Sequence, residues 1–232
     1  MNNHIIKQFD EELNKLRARL IKMGLMIQEQ IDNSMKALIH NNQKLALTII
    51  SNDDKVDEID LKIEKQCLKI FALHQPVAMD LRFVISAITI NEKMEMISDL
   101  ATNIAKNVLS INLGLPYQNQ TNFNIIAEKL VALVTKAVDS FTFQDTSLSY
   151  EVFNDFLELK KLIKENYNII IDLMKKNPMY IDSFTRLIII NRNLHFAANF
   201  AVGICEEVVF MVDAKIVKHR LFDFISPDNN QK

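Results

Sequence analysis

In SNDDKVDEIDLKIEKQCLKIF, residues 51–71, Asp53, Asp57, Asp60 and Glu64 recur at steps of four, three and four and fall along one edge of a helix. At about 100° per residue, Lys55, Lys62, Lys65 and Lys69 gather on the opposite side, with Val56, Ile59 and Ile63 on one shoulder of the acids and Leu61 and Leu68 on the other. A helix shaped only for solubility would set its acids four residues before lysines, as Glu58 and Lys62 do. Most of this stripe forgoes that arrangement, and its carboxylates repel one another unless something cationic sits among them. A second ridge, Glu95, Asp99 and Asn103 in NEKMEMISDLATNIAKNV, residues 91–108, also advances in steps of four. Two such ridges side by side could form an oxygen cage for a hard cation, Mg²⁺, Mn²⁺, Ca²⁺ or an iron species. Spacing alone leaves two other readings open, a solvated acidic groove and a seat for a partner's basic patch.

Other chemistries find less support. Cys67 and Cys205 are far apart inside apolar patterns and read as reduced core thiols, and the Glu-x-x-His pairs of ferritin-like di-iron bundles are absent. His4, His40, His74 and His219 sit near predicted helix ends and read as exposed. A net charge of −2 without a Lys/Arg cluster speaks against nucleic acid as a partner. The N-terminus lacks the basic-then-apolar order of a signal peptide, and no apolar run approaches the roughly 20 residues needed to span a bilayer, so a soluble, cytoplasmic protein is expected.

Long helices must position these residues. Three glycines and four prolines in 232 residues leave few breakpoints. Phe9, Leu13, Leu16, Leu20, Met23 and Ile27 place one stripe on a first helix. A polar break at residues 40–42 precedes a second helix running to about His74, and a third opens at Pro76 and stops near Gly114-Leu115-Pro116. YQNQTN, residues 117–122, is polar and aperiodic and reads as a junction. A fourth helix then covers roughly 123–142, a fifth carries Phe156, Leu159, Ile163, Tyr167, Ile170 and Met174, and Asn177-Pro178 separates it from a sixth. Ile90, Met94, Ile97, Ala101, Ile104 and Val108 of the third helix recur one hundred residues later as Ile190, Leu194, Ala197, Ala201, Ile204 and Val208, and Asn91 as Asn191. The expectation is an all-α protein of six long helices in two tandem three-helix bundles, residues 1–116 and 117–225, followed by a flexible tail at 226–232.

QPVAMDLRFVISAITI, Gln75 to Ile90, resembles the Q-P-V-A-x-D-L-R segment of the PhoU family, and MEMISDLATNIAK, Met94 to Lys106, is similar to that family's L-E-R-I-G-D-x-A-x-N-I-A. The resemblance extends from about Phe9 to His219, and DDKVD at 53–57 matches the family's acidic motif on the second helix. Members are built as paired three-helix bundles, several of which carry metal on E/D-x-x-x-D ridges. The resemblance thus implies Asp53, Asp57, Glu95 and Asp99 as ligands of a divalent or iron-type cation (Mg, Mn, Fe or Zn), with Asn103 close by. Asp60 and Glu64 extend the stripe on the residue reading alone. Asp80 and Arg82 match the family segment and read as a helix-start cap and a surface ion pair.

The second half departs from the pattern. His195, Asn199 and Gly203 stand where Glu, Asp and Asn belong, Phe156 and Lys160 lie near the expected acidic positions, and Asp155 and Glu158 are out of phase. One metal-bearing ridge is therefore expected, with a degenerate second site at His195 and Asn199. The resemblance further implies a non-enzymatic adaptor, a homodimer at the inner membrane face, that restrains phosphate uptake and the phosphate-starvation response through a phosphate ABC transporter ATPase and a sensor histidine kinase. A metal-dependent hydrolase and a metal-free helical scaffold are the alternatives.

Overall fold

The computed structural model describes residues 2–111, 117 and 119–218, with backbone alone for residues 2–6. Helices α1 (Asn2–His40), α2 (Gln43–His74) and α3 (Ala78–Val108) pack on one another, as do α4 (Phe123–Phe143), α5 (Thr146–Lys176) and α6 (Ile181–Asp213). The chain is all-α, two three-helix bundles side by side. Local chemistry sets the corners. The Asn42 side chain accepts the Leu45 amide at 3.0 Å to cap α2, and Asp145 accepts the Ser147 amide at 2.8 Å to cap α5. Gln75 closes α2 in the left-handed region ahead of Pro76, and a 3-10 turn at Pro178–Tyr180 leads into α6.

The stripes of α1, α3 and α6 meet in a common core. Leu16, Leu20, Met23 and Ile27 are buried, with Phe9 and Leu13 partly so, and every stripe residue of α3 and α6 named above is buried. On α5 the sequence reading fails at one position: Tyr167 is exposed, and Asn166 turns inward instead. Its side chain accepts the Asn122 amide at 2.7 Å and donates to Asn191 Oδ1 at 2.8 Å. A buried polar group paired this fully carries little penalty, so apolar periodicity alone cannot place it. The junction also differs from expectation. Tyr117 is 1% exposed and donates its hydroxyl to the Leu38 carbonyl at 2.9 Å, pinning the start of the second half to the end of α1. The Gly114-Pro116 stop, His219 and the tail at 226–232 lie outside the described residues, as does the His4 side chain. His40 is exposed, whereas His74 is half-buried with its ring 5.2 Å from that of Phe9.

The two bundles meet most extensively where α3 and α6 run antiparallel: Phe83 and Met211 share one pocket, Lys93 lies on Gly203, and Leu100 shares a cleft with Phe196. A Cβ at Gly203 would sit 2.6 Å from Lys93 Cδ, so the missing side chain admits the lysine stem. The central place of α6 also corrects the membrane reading. The segment Pro178–Asp213 is long and apolar enough by composition to cross a bilayer, with 61% of its most apolar window buried among the other helices. Its hydropathy reflects packing on several sides at once.

A second close approach joins α1 to α4, where a Cβ at Gly24 would lie 2.6 Å from Val138 Cγ1. Overpacking of this kind costs about 1–3 kcal/mol. Gly24→Val should therefore lower the urea midpoint, and Val138→Ala in the same chain should return part of the loss; simple additivity of the two single effects in a double-mutant cycle would show that the contact does not limit packing.

Candidate metal centre

The register of α3 on α2 is held by Asn91, which donates to the Asp60 carbonyl at 3.3 Å and to Asp60 Oδ1 at 2.6 Å. With Val56, Ile59 and Ile63 packed inward below, the helices bring Asp53, Asp57, Asp60, Glu95 and Asp99 into one electrostatic field. Burial, then Asp99, Asp60, Asp57 and Asp53 in turn, push the Glu95 carboxyl up from 4.5 to about 7. Asp99 is raised by burial and by Asp53 and Asp57, against a smaller opposing pull from Lys106. Asp57 is raised by burial and by Asp53 and Asp54; Asp60 by burial and Glu64, with the Asn91 hydrogen bond acting the other way. Ser98 Oγ approaches Asp53 Oδ1 at a long 3.5 Å.

The structure thus gathers the four sequence-predicted ligands and Asp60 on one seam. Glu64 is exposed beyond its end, and Asn103 faces the neighbouring cleft, its side-chain oxygen accepting from Asn107 at 3.3 Å. Among the described residues no three Asp, Glu, His or Cys groups converge closely enough to hold an ion as they stand, so chelation requires side-chain rotation. The donor set fits a hard cation nonetheless: it is all oxygen and carries more negative charge than its surroundings neutralise. Sequence reasoning missed Asn91 and Ser98 as supports of the ridge. The recurrence of Asn91 as Asn191 was the available signal.

That recurrence fixes the comparison between halves. Asn191 donates to the Ile163 carbonyl at 3.0 Å as Asn91 donates to that of Asp60, so α5 matches α2 at an offset of 103 residues. Asp53 and Asp57 then correspond to Phe156 and Lys160, and Glu95 and Asp99 to His195 and Asn199. Phe156 stacks on the His195 ring at 6.2 Å, and the Lys160 ammonium lies 6.0 Å from the Phe156 ring. Burial, and secondarily Lys160, lowers the His195 pKa and favours the neutral imidazole, whose Nε2 lies 3.1 Å from Asn199 Nδ2. Asp155 and Glu158 point to α4, where Lys136 and Lys129 pair with them at 2.9 and 3.0 Å.

Asp80 and Arg82 do not form the ion pair expected of them. Two residues apart on a helix, they project to different sides. Asp80 lies in the first turn of α3 and lines a pocket of about 480 Å³ with Arg17 at the far end of the bundle, while Arg82 is half-buried with its Nε unpartnered among the described residues.

The raised Glu95 carboxyl links pH to stability. Between about 4.5 and 7 the unfolded chain has released a proton that the native chain keeps, so stability falls as pH rises through this window. The urea midpoint of chelator-treated protein should drop between about pH 5 and pH 7.5, and Glu95→Gln should flatten that slope; an unchanged slope would mean that Glu95 does not feel the ridge.

Residues 20–108, spanning the C-terminal half of α1 and all of α2 and α3, match the family profile described as PhoU domain. A Zymomonas mobilis phosphate-specific transport system accessory protein PhoU homolog is 29% identical over 94% of this chain and 92% of its own length. A protein of the same description from Aquifex aeolicus is 29% identical over 90% and 95%. The crystal structure of PhoU from Pseudomonas aeruginosa superposes with a TM-score of 0.84 at 25% identity, covering 89% of this chain and all of that one. That of the phosphate transport system regulatory protein PhoU from Streptococcus pneumoniae, 24% identical over 90% of this chain and 99% of its own, shares the fold with a TM-score of 0.83. Profile, full-length relatives and helix arrangement coincide on the bundle that bears the acidic ridge: residues 20–108 match the PhoU domain, and the chain as a whole is similar to PhoU proteins in sequence and fold.

Proposed function

We propose that this chain is an accessory regulator of phosphate transport, a cytoplasmic, non-enzymatic adaptor that binds metal and restrains phosphate uptake and the phosphate-starvation response. The supporting observation is the collinear match, over more than nine-tenths of both chains, to a relative described as a phosphate-specific transport system accessory protein. Its partners are a phosphate transporter ATPase and a sensor histidine kinase, met through helix faces at the membrane surface, and it works as a homodimer. The repeats at 1–116 and 117–225 are the units of an ancestral duplication.

Asp53, Asp57, Glu95 and Asp99 would hold the cation, with Asp60, Glu64 and Asn103 at the periphery. Bound there, a cation supplies the positive charge that lets neighbouring carboxylates ionise together. Asn91 keeps α2 and α3 in register, and the apolar shoulders limit hydration. The His195–Phe156–Lys160 constellation in the other bundle offers a stacked ring and an ammonium where a metal needs anionic oxygens, which supports a single loaded ridge.

Deleting the gene should raise phosphate-responsive expression under replete phosphate; expression and uptake identical to wild type would remove the regulatory reading. In native mass spectrometry with elemental analysis, the full chain should carry metal, and the Asp53→Ala, Asp57→Ala, Glu95→Ala, Asp99→Ala variant should lose it while its circular dichroism is retained. Wild-type loading in that variant would place the metal elsewhere.

A further inference from the structure

The face bearing the acidic ridge also bears its electrostatic opposite, on the far side of the α3–α6 seam. At the seam, Met96, Leu100, Phe196 and Phe200 line an open cleft of about 470 Å³ that Asp53 and Asp99 border on one side. Phe196 is 37% exposed, a large ring left partly uncovered at the centre of the face. The Arg192 guanidinium lies over that ring at 5.2 Å, and Lys160 reaches out over Phe156 beside it. Neither cation has a carboxylate partner among the described residues, although three acids of α5 do have partners: Glu151 and Asp155 pair with Lys136, and Glu158 with Lys129. Across the face the acidic seam, the ring-lined cleft and the Lys160–Arg192 edge therefore follow in order, with Lys106 bordering the cleft beside Asp99 and the Lys93 ammonium 5.7 Å from the Phe200 ring.

The antiparallel register offsets these edges along the seam. Lys93 stands against Gly203 and Leu100 shares its cleft with Phe196, so Asp99 falls level with Ala197, close to His195, while Glu95 falls level with Ala201, nine residues or about 13 Å from Arg192. A two-fold axis lying parallel to the face and perpendicular to the line joining the two edges, tilted from the seam by this offset, would exchange them. Two copies related in this way bring the anionic edge of each onto the cationic edge of the other, twice, with the apolar centres meeting between. An ordinary mixed-charge surface does not complement itself in this manner.

We infer that the α3–α6 face docks a second copy of this chain, Lys160 and Arg192 of one copy lying against Asp53, Asp57, Glu95 and Asp99 of the other, with Phe196 and Phe200 at the centre. This rests on the homodimer proposed above and adds its location. The same carboxylates would hold a metal, and both kinds of cation answer the same negative charge, so the pairing belongs to the metal-free chain.

Sedimentation velocity of the full, EDTA-treated chain tests it. Wild type should dimerise, and raising NaCl to about 0.5 M should weaken the dimer through screening. Lys160→Glu/Arg192→Glu, which makes both edges anionic, and Asp57→Lys/Glu95→Lys, which cancels the net charge of the acidic edge, should each weaken self-association by about tenfold or more. An equimolar mixture of the two should recover association as mixed dimers, because the acidic edge of the first variant meets the intact Lys160 and Arg192 of the second and its new glutamates meet the introduced lysines. A metal-free wild-type chain that stays monomeric overturns this pairing, and one that stays monomeric with and without added Mn²⁺ overturns the homodimer as well. A wild-type dimer unmoved by salt and by both reversals overturns this face while leaving the homodimer standing, as does a mixture that fails to re-associate although both variants retain wild-type circular dichroism. Should either variant misfold, the salt series and Phe196→Ala, expected to weaken the dimer, decide the matter.

Discussion

Repulsion among carboxylates held along the α2–α3 seam is the constraint from which the chemistry of this protein follows. Asp53, Asp57, Asp60, Glu95 and Asp99 share one field, and the cost appears as raised carboxyl pKa values, largest at half-buried Glu95. Free helices would rotate or separate to relieve such a field. These cannot, because Val56, Ile59, Ile63, Ile90, Met94 and Ile97 are buried in the common core and Asn91 ties α3 to the Asp60 carbonyl. Hydrophobic burial on one side of each helix thus holds the unfavourable charge on the other, and a cation bound there would relieve that repulsion.

The same three-helix scaffold occurs twice, and the second bundle fills the ridge positions differently. Asn191 repeats the structural role of Asn91 against the Ile163 carbonyl, so the geometry of a ridge persists without its acids. Phe156 and His195 fill the position by stacking, Lys160 brings the opposite charge, and the acids of α5 turn to lysines on α4. The result is a molecule whose backbone is nearly two-fold symmetric while its charge is not. That mismatch sets unlike charge on the two sides of the α3–α6 face.

Central helices explain an otherwise misleading signal. Packed against α3, α5 and α4, α6 needs apolar residues around most of its circumference and so reaches the hydropathy of a membrane segment. Gly203 and Gly24 sit where neighbouring helices come closest, and each replaces a side chain that the facing Lys93 or Val138 would strike. Close packing at these points couples the two bundles into one continuous core.

Much was legible in the residues themselves. Four-three spacing of apolar side chains marked the first, third, fifth and sixth helices, since burial of one face demands that period, and prolines with short polar stretches marked the breaks within a few residues. The acid stripe and its loss in the second half were equally visible, because same-face placement on a helix depends only on local geometry. Tertiary packing decided the rest. Asn166 rather than Tyr167 faces inward because Asn122 and Asn191, distant in sequence, satisfy its amide. Tyr117 is buried because α1 offers the Leu38 carbonyl, and Asp80 and Arg82 part because the helix turns them to different neighbours. Whether two ridges share a field, and which cations lie across from them, depends on how separate helices align, and no spacing within one helix encodes that alignment.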